Sequence, residues 1–242
     1  MDKEKLHMYK EIERLALKVA KNYEKNPDKF VDVIEEANVP EDMRGDVLFF
    51  VGSMLQIRLY LNPARACMER ALIYIRDTEK ISRCYILLGL VYYDLENYNK
   101  AIECYKKGLE YLEKLENGAG KLMGYINLGI AYNSSEHFDE AVKYGEIALK
   151  IALDIGDKKM EPVCYMSLGA VYYALENFEK TVEYLSKAED IYKKTGQMDA
   201  LKEVYRNMAV AYEKMKNPKK AEEYKRKAEK IKIFKDRLKF CL

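Results

Sequence analysis

A pattern with a period of 40 residues constrains the fold of this chain more than any other sequence feature. Segments of the form Tyr-x-x-(Leu/Met)-(Gly/Ala)-x-x-Tyr begin at Tyr85, Tyr125, Tyr165 and Tyr205. Small residues follow each segment at two constant distances: Ala101, Ala141, Thr181 and Ala221, and then Gly108, Ala148, Ala188 and Ala228. A fixed period of this length is the signature of a stacked array of structural repeats.

The spacing within one repeat predicts a pair of helices. We number the repeats from residues 82, 122, 162 and 202, so that the first tyrosine of each segment is at position 4. Positions 4, 7, 8 and 11 share one face of an α-helix, which we call helix A. The small residue at position 8 allows helix B, which carries small residues at positions 20 and 27, to approach closely. Polar segments such as Glu96-Asn97-Tyr98 separate the two helices, and Pro218 is expected at the start of the last helix B.

A further copy of the pattern lies upstream, with Gly52, Ala64 and Ala71 at the matching positions. The chain is therefore predicted to contain five repeats, at about 45–81, 82–121, 122–161, 162–201 and 202–231, within a region that spans 42–231. Residues 1–41 are predicted to form a degenerate capping pair of helices, because terminal repeats are atypical. Residues 219–242 are predicted to form a basic C-terminal capping helix that overlaps the last repeat. We expect Asn117-Gly118-Ala119-Gly120 to form an inter-repeat turn.

This pattern resembles the tetratricopeptide (TPR) repeat, a helix-turn-helix unit of about 34 residues. The resemblance covers about residues 45–230. The longer period of 40 residues and the Ile155-Gly156-Asp157 turn are similar to those of the G-protein-signalling modulators and the Rap-type peptide receptors. The resemblance implies an all-α fold, a right-handed TPR-type solenoid of helical hairpins.

The sequence lacks the motifs of the common enzyme classes. It contains no G-x-S-x-G or H-E-x-x-H motif, and we predict a protein that is not an enzyme and needs no cofactor or metal. The five cysteines form no C-x-x-C pair, and four of them occupy equivalent repeat positions in pairs, which indicates apolar packing. No apolar run approaches 18 residues, and the N-terminus enters an amphipathic helix, so we expect a cytoplasmic protein.

In TPR proteins, positions 2, 5, 9 and 12 of helix A line a concave groove that binds partners. The resemblance thus implies a groove formed by Arg83, Ile86, Leu90, Tyr93, Met123, Ile126, Ile130, Asn133, Val163, Met166, Ala170, Tyr173 and Arg206, with Asn127 at position 6. The working hypothesis is a non-catalytic scaffold or adaptor that holds a helical or extended peptide segment in this groove. Aliphatic side chains would supply burial, the tyrosines and Asn133 would orient the peptide, and the arginines would favour an acidic end of the partner.

The middle A helices are apolar on both faces, and a helix that is apolar all round is normally buried. Four arrangements could cover the face of these helices that lines the groove. They are an amphipathic helix of a partner protein, a second copy of the chain in a homodimer, the chain's own terminal helix, or tight winding of the array.

A basic C-terminal region offers an alternative function. Residues 214–242 contain 12 Lys or Arg against 4 Asp or Glu, whereas the whole chain has 42 against 40. A basic patch of Lys225, Arg226, Lys230, Lys232, Lys235 and Arg237 would suit the phosphates of a nucleic acid or an anionic membrane. The structural alternative is the polar cap that a repeat array requires. A third possibility is a peptide-sensing regulator similar to the Rap-type receptors.

Overall fold

A computed structural model describes residues 3–37 and 39–231, and all its regular elements are helices. The chain divides into two compact units, Met1–Ala131 and Tyr132–Leu242. The boundary falls within helix α7, Gly118–Ser134.

The first unit is built from consecutive helical hairpins. Its helices before α7 are α1 Lys3–Val19, α2 Pro27–Glu35, α3 Arg44–Ile57, α4 Leu61–Tyr74, α5 Thr78–Asp94 and α6 Tyr98–Leu112. Short 3-10 turns occupy Ala20–Tyr23 and Glu41–Met43. Helix α3 packs against α4 and α5 packs against α6, and these are the A and B helices of two repeats. Helix α3 also contacts both α1 and α5.

The second unit continues with the same type of hairpin. Its helices after α7 are α8 Phe138–Asp154, α9 Glu161–Ala174, α10 Phe178–Thr195, α11 Met198–Lys214 and α12 Pro218–Lys230. Helices α9 and α10 form one hairpin, and α11 and α12 form the next. Helix α8 also packs on α9, and α10 packs on α11, so neighbouring hairpins share an interface.

The Glu-Asn dipeptide of the repeat explains the tight connection between helices A and B. Glu96 adopts a positive φ of 59°, and the backbone N–H of Asn97 donates to the carbonyl of Tyr92 at 2.8 Å. This geometry ends helix A, because it satisfies a carbonyl of the last turn. The side chain of Asn97 then accepts a hydrogen bond from the N–H of Lys100 and caps helix B. The Glu176 connection has the same geometry.

The glycine at position 8 lets a large side chain of helix B lie directly on the backbone of helix A. The ring of Tyr105, which is 1 % exposed, covers Gly89 so closely that a Cβ at Gly89 would lie 2.5 Å from the tyrosine Cε1. In the second unit, Leu185 lies on Gly169 with a wider margin of 3.3 Å. In these two hairpins the contact is therefore glycine against a large buried side chain, with a fit that differs between them.

Stacked tyrosines form a second contact within the hairpins. Tyr172 on helix A stacks on Tyr184 of helix B with ring centroids 5.4 Å apart and nearly parallel planes. The Nζ atom of Lys180 lies 4.5 Å from the centroid of the Tyr172 ring, within range of a cation–π interaction. Tyr212 and Tyr224 repeat this arrangement in the next hairpin.

The structure confirms the prediction of an all-helical array of hairpins for the described residues, and it places Pro218 at the first position of α12. The expected turn at Asn117–Gly120 is wrong for three of its four residues. Helix α7 begins at Gly118, because the side chain of Asn117 accepts a hydrogen bond from the N–H of Gly120 at 2.8 Å. This N-cap stabilises a helical first turn despite the two glycines.

Two substitutions at the same repeat position are expected to differ in their effect on stability. Gly89→Ala should lower the free energy of unfolding by about 1–3 kcal/mol, because the buried Tyr105 ring must move. Gly169→Ala should change it by less than about 1 kcal/mol, since the looser contact is offset by the better helix propensity of alanine. Urea unfolding of both variants, followed by circular dichroism, measures the difference. Equal losses in the two variants would contradict the packing described here.

Candidate functional site

A cavity of about 210 Å³ opens in the second unit between helices α9, α10 and α11. Three predicted groove residues of helix α9, Met166, Ala170 and Tyr173, lie in its lining. The remaining lining residues are Gly169, Thr181, Leu185, Asn207 and Val210. The absence of a side chain at Gly169 leaves space between the A helix and Leu185, so the residue that brings the hairpin together also contributes to the cavity.

The walls of this cavity are held by local contacts. The ring of Tyr173 packs edge-on against Phe178, the aromatic residue at the start of α10, with centroids 5.5 Å apart. The hydroxyl of Thr181 donates to the carbonyl of Asn177, which leaves it satisfied within its own helix. Val210 is 41 % exposed on α11, and the neighbouring Asn207 is also exposed. The cavity therefore presents an apolar interior with one amide group of Asn207 at its lining, a composition that suits a peptide side chain and its backbone.

The other predicted residues of the second unit, Val163, Arg206 and Asn133, do not line this cavity. Val163 is half-buried on α9, and Arg206 is exposed on α11, where it pairs with Glu203 at 3.2 Å. Asn133 is half-buried, and its Oδ1 atom has no hydrogen-bond partner among the described residues. A buried acceptor of this kind requires a donor from water or a ligand.

In the first unit, several predicted groove residues are covered by neighbouring helices. Ile126 is only 4 % exposed, whereas Met123, three residues earlier on α7, is 45 % exposed. The side chain of Ile86 extends to Gly108 of helix α6 and also approaches Gly124 of α7. Part of the apolar face is thus buried within the unit without any partner.

The remaining predicted residues of this unit have intermediate or high exposure. Leu90, Tyr93 and Ile130 are half-buried, and Tyr93 contacts the ring of Tyr98 at 5.4 Å. Asn127 is half-buried, and its Nδ2 atom finds no hydrogen-bond partner among the described residues. Arg83 is exposed, and its guanidinium lies 5.9 Å from the centroid of the Phe49 ring.

A second and larger cavity, of about 520 Å³, lies in the first unit where α1, α3 and α5 meet. We call it the α1 pocket. Its lining residues are Leu6, Tyr9, Lys10, Glu13, Asp46, Phe49, Phe50, Lys80 and Arg83. Of these, only Arg83 belongs to the predicted site. The contribution of α1 was missed because residues 1–41 were interpreted as a degenerate cap. Leu6 and Tyr9 extend the apolar stripe of the buried Ile12 and Ala16 toward the N-terminus of α1, and this continuation was the available signal.

Residues 81–154 and 163–233 match the family model of the tetratricopeptide repeat. The chain belongs to the tetratricopeptide repeat family. Its paired helical hairpins are typical of a TPR solenoid, and TPR domains generally act as protein–protein interaction modules. A search of the curated proteins found no match.

Solved structures similar to this TPR chain share its fold at low sequence identity. BtubC (BKLC) from P. vanneervenii is 18 % identical with a TM-score of 0.69, and the match covers 95 % of this chain and 91 % of that one. A STAND protein with a tetratricopeptide repeat sensor from Pyrococcus horikoshii is 23 % identical with a TM-score of 0.69, but the match covers 88 % of this chain and 32 % of that one.

A Rap protein complexed with Competence and Sporulation Factor is a third structural neighbour of this TPR chain. It is 17 % identical with a TM-score of 0.69, and the match covers 84 % of this chain and 57 % of that protein. The chain therefore spans only part of the length of the STAND and Rap proteins, so their activities are not transferred to it.

The basic patch of the TPR chain is partly neutralised where the structure describes it. Lys225 pairs with Glu213 and Arg226 with Glu222 on α12 and α11, while Lys230 is exposed near the end of α12. The other three predicted members, Lys232, Lys235 and Arg237, lie outside the described residues. The described part of α12 thus combines cations with acidic partners on the same surface.

Cysteine chemistry is suppressed by burial. Cys67, Cys84, Cys104 and Cys164 are free and buried, and burial raises the pKa of the Cys84 and Cys164 thiols to about 12. Thiols in this state are inert as nucleophiles and ligands, because both roles require the thiolate.

In residues 3–37 and 39–231, no group of three or more His, Cys, Asp or Glu side chains is placed to hold a metal ion. Within the same ranges, none of the helices combines the length and apolarity needed to cross a bilayer.

The buried thiols should react only when their helices separate. We expect a Cys241→Ser variant, in which the cysteine outside the described residues is removed, to react very slowly with Ellman's reagent at pH 8. A pKa of about 12 lowers the thiolate fraction roughly a thousandfold relative to a thiol with the usual value of 9.0. The same variant in concentrated guanidinium chloride should release colour from all four remaining thiols at once. A rapid native reaction of even one thiol would contradict the burial of that helix interface.

Proposed function

We propose that this TPR chain is a non-catalytic interaction module that binds a helical or extended peptide segment of a protein partner on the A-helix face of its second unit. The observation that carries the proposal is the cavity between α9, α10 and α11, whose lining contains Met166, Ala170 and Tyr173 from the predicted groove. A ligand here would bury an apolar side chain in the cavity, and Asn207 would hydrogen-bond the peptide backbone.

The size and composition of the cavity favour a peptide over a small-molecule substrate. Sites for cofactors and drug-sized molecules usually enclose about 300–1,000 Å³. The cavity in the second unit is smaller, about 210 Å³, and holds no charged residue in its lining. It therefore suits a single anchoring side chain of a longer ligand, with the rest of the segment lying across Val210 and the exposed surface of α11. Burial of one such side chain contributes about 1.5–3 kcal/mol.

Two further observations support peptide binding. The Rap protein that shares the fold was crystallised as a complex with Competence and Sporulation Factor. That complex supports peptide sensing as one form of the proposed activity. Two described members of the basic patch, by contrast, are paired with carboxylates, Lys225 with Glu213 and Arg226 with Glu222, which reduces the charge available for phosphates. We therefore favour a protein partner over a nucleic acid or an anionic membrane.

A matched pair of surface variants tests this proposal. Val210→Arg places a long charged side chain at the cavity, while Leu153→Arg makes the same change at a residue of similar exposure near the end of α8. We expect Val210→Arg to reduce capture of a partner from a lysate of the native host at least about tenfold, since the anchoring contact is lost. Leu153→Arg should capture as the unchanged protein does, and circular dichroism should show both variants folded.

Quantitative mass spectrometry of the captured proteins, with and without nuclease and at two salt concentrations, gives the measurement. An apolar groove contact should survive both treatments. Capture that is insensitive to Val210→Arg but abolished by nuclease or salt would contradict the proposal and assign the activity to the basic C-terminal region, because phosphate contacts weaken steeply with salt. Ile126 is unsuitable for this test, because it is buried and a charge there would unfold the hairpin.

A further inference from the structure

The charges that line the α1 pocket do not balance once their ion pairs are assigned. Asp46 accepts two hydrogen bonds from the Nζ atom of Lys80, at 2.7 and 2.8 Å. Glu13 pairs with Arg58 at 3.5 Å. Both acidic residues of the lining are therefore neutralised by cations, one of which lies outside the pocket.

Two cations of the lining remain without a carboxylate partner among the described residues. They are Lys10 on α1 and Arg83 on α5, and helix α3 contacts both of these helices. The guanidinium of Arg83 lies near the ring of Phe49, which leaves its N–H groups available to an acceptor. The pocket thus has positive charge on the two helices that flank α3.

The rest of the lining is aromatic and aliphatic. Tyr9 packs edge-on against Phe50 with centroids 5.1 Å apart, and this contact joins α1 to α3. Burial raises the pKa of the Tyr9 phenol, so the phenol is neutral at physiological pH and contributes no opposing charge. Leu6, 40 % exposed, and Phe49 complete an apolar surface. A ligand for this pocket therefore needs an apolar group for the aromatic surface and anionic groups for Lys10 and Arg83.

We propose that the α1 pocket is a second binding site, which takes a peptide segment of a protein partner in which acidic residues flank a large apolar residue. The apolar side chain would lie against Phe49 and Leu6, and the carboxylates would pair with Lys10 and Arg83. An arginine favours this ligand, because its planar guanidinium matches the two oxygens of a carboxylate. A cavity of about 520 Å³ has room for a large side chain together with its neighbours along the peptide.

This site is independent of the one in the second unit. All its lining residues belong to the first unit, and its ligand is selected by charge as well as by apolar burial. The α9–α11 cavity contains no charged lining residue. The two sites therefore make different predictions about peptide sequence and about the dependence of binding on salt.

A displayed library of random 16-residue peptides, selected against the full chain, tests the proposal. One group of selected peptides is expected to combine Asp or Glu with a neighbouring Phe, Tyr, Trp or Leu. These peptides should be lost when selection uses the Lys10→Glu/Arg83→Glu variant. They should be retained with Lys150→Glu/Lys159→Glu, a double charge reversal at two exposed lysines of the second unit that serves as the matched control.

Titration of the strongest peptide of this group measures the contribution of each residue. We expect Lys10→Glu and Arg83→Glu each to weaken binding about tenfold, and the losses to shrink at high salt, since the charges are exposed. Leu6→Ser, a change at a partly exposed position that should not disturb folding, is expected to weaken binding by a similar factor through the apolar contact. Val210→Arg should leave the affinity unchanged, which separates this site from the α9–α11 cavity.

The opposite results would overturn the proposal. The proposal would be overturned if the folded, unchanged chain selected no peptides that combine acidic and apolar residues. Equal binding to the unchanged chain and to the Lys10→Glu/Arg83→Glu variant would overturn it as well. Peptides displaced by Val210→Arg but not by Arg83→Glu would assign all peptide binding to the second unit. Binding of a single-stranded oligonucleotide in competition with the peptide would identify the pocket as a general anion site.

Discussion

Close contact between the two helices of a hairpin depends on a small residue at position 8 of helix A, which is glycine at Gly89 and Gly169 and alanine at Ala209. Where this residue is glycine and has no Cβ atom, the backbone of helix A becomes a surface on which a large side chain of helix B can lie. Tyr105 covers Gly89, and Leu185 covers Gly169, in the same relative position. The dispersion contacts of such a buried side chain are individually weak, but they are numerous because the interior is densely packed. The stacking of successive hairpins follows from this contact, since it determines which faces remain to meet the next pair.

The same constraint creates the candidate site. Where the residue on the glycine is a tyrosine, the ring fills the space beside helix A. At Gly169 the smaller Leu185 leaves a cavity next to Met166 and Tyr173. In these two hairpins the same position of helix B holds different large residues, and the smaller one leaves space beside helix A. A binding site can arise in this way without any change to the pattern that builds the hairpin.

The two cavities illustrate how one repeated fold supports different surfaces. The cavity of the second unit is uncharged and takes its shape from packing within and between hairpins. The α1 pocket combines aromatic rings with charges, and its character depends on which ions pair with each other. Because Lys80 pairs with Asp46 and Arg58 pairs with Glu13, the cations of the lining that remain available to a ligand are Lys10 and Arg83. Pairing between elements that are distant in sequence therefore determines the ligand class that each surface can accept.

The repeat positions of the core could be predicted from the sequence, because a buried position tolerates few residue types and so recurs every 40 residues. The exposure of the residues on each face of helix A could be predicted only in part. Ile126 and Met123 both fit the groove pattern, yet one is buried and the other exposed. Their difference depends on the exact approach of neighbouring helices, which periodicity does not contain. The glycines at the start of α7 were misjudged for a related reason, since the cap supplied by Asn117 outweighed their low helix propensity.

By itself, the sequence determined the architecture, which is a series of helical hairpins with small residues where the helices cross. It also determined that the chain belongs to the TPR family. These features follow from local spacing, and local spacing decides which residues share a helix face. Only the tertiary structure decided which exposed positions form cavities and which charges are left unpaired. Arg83 and Lys10 are 73 residues apart in the chain, and their common pocket exists because α1 and α5 both pack beside α3.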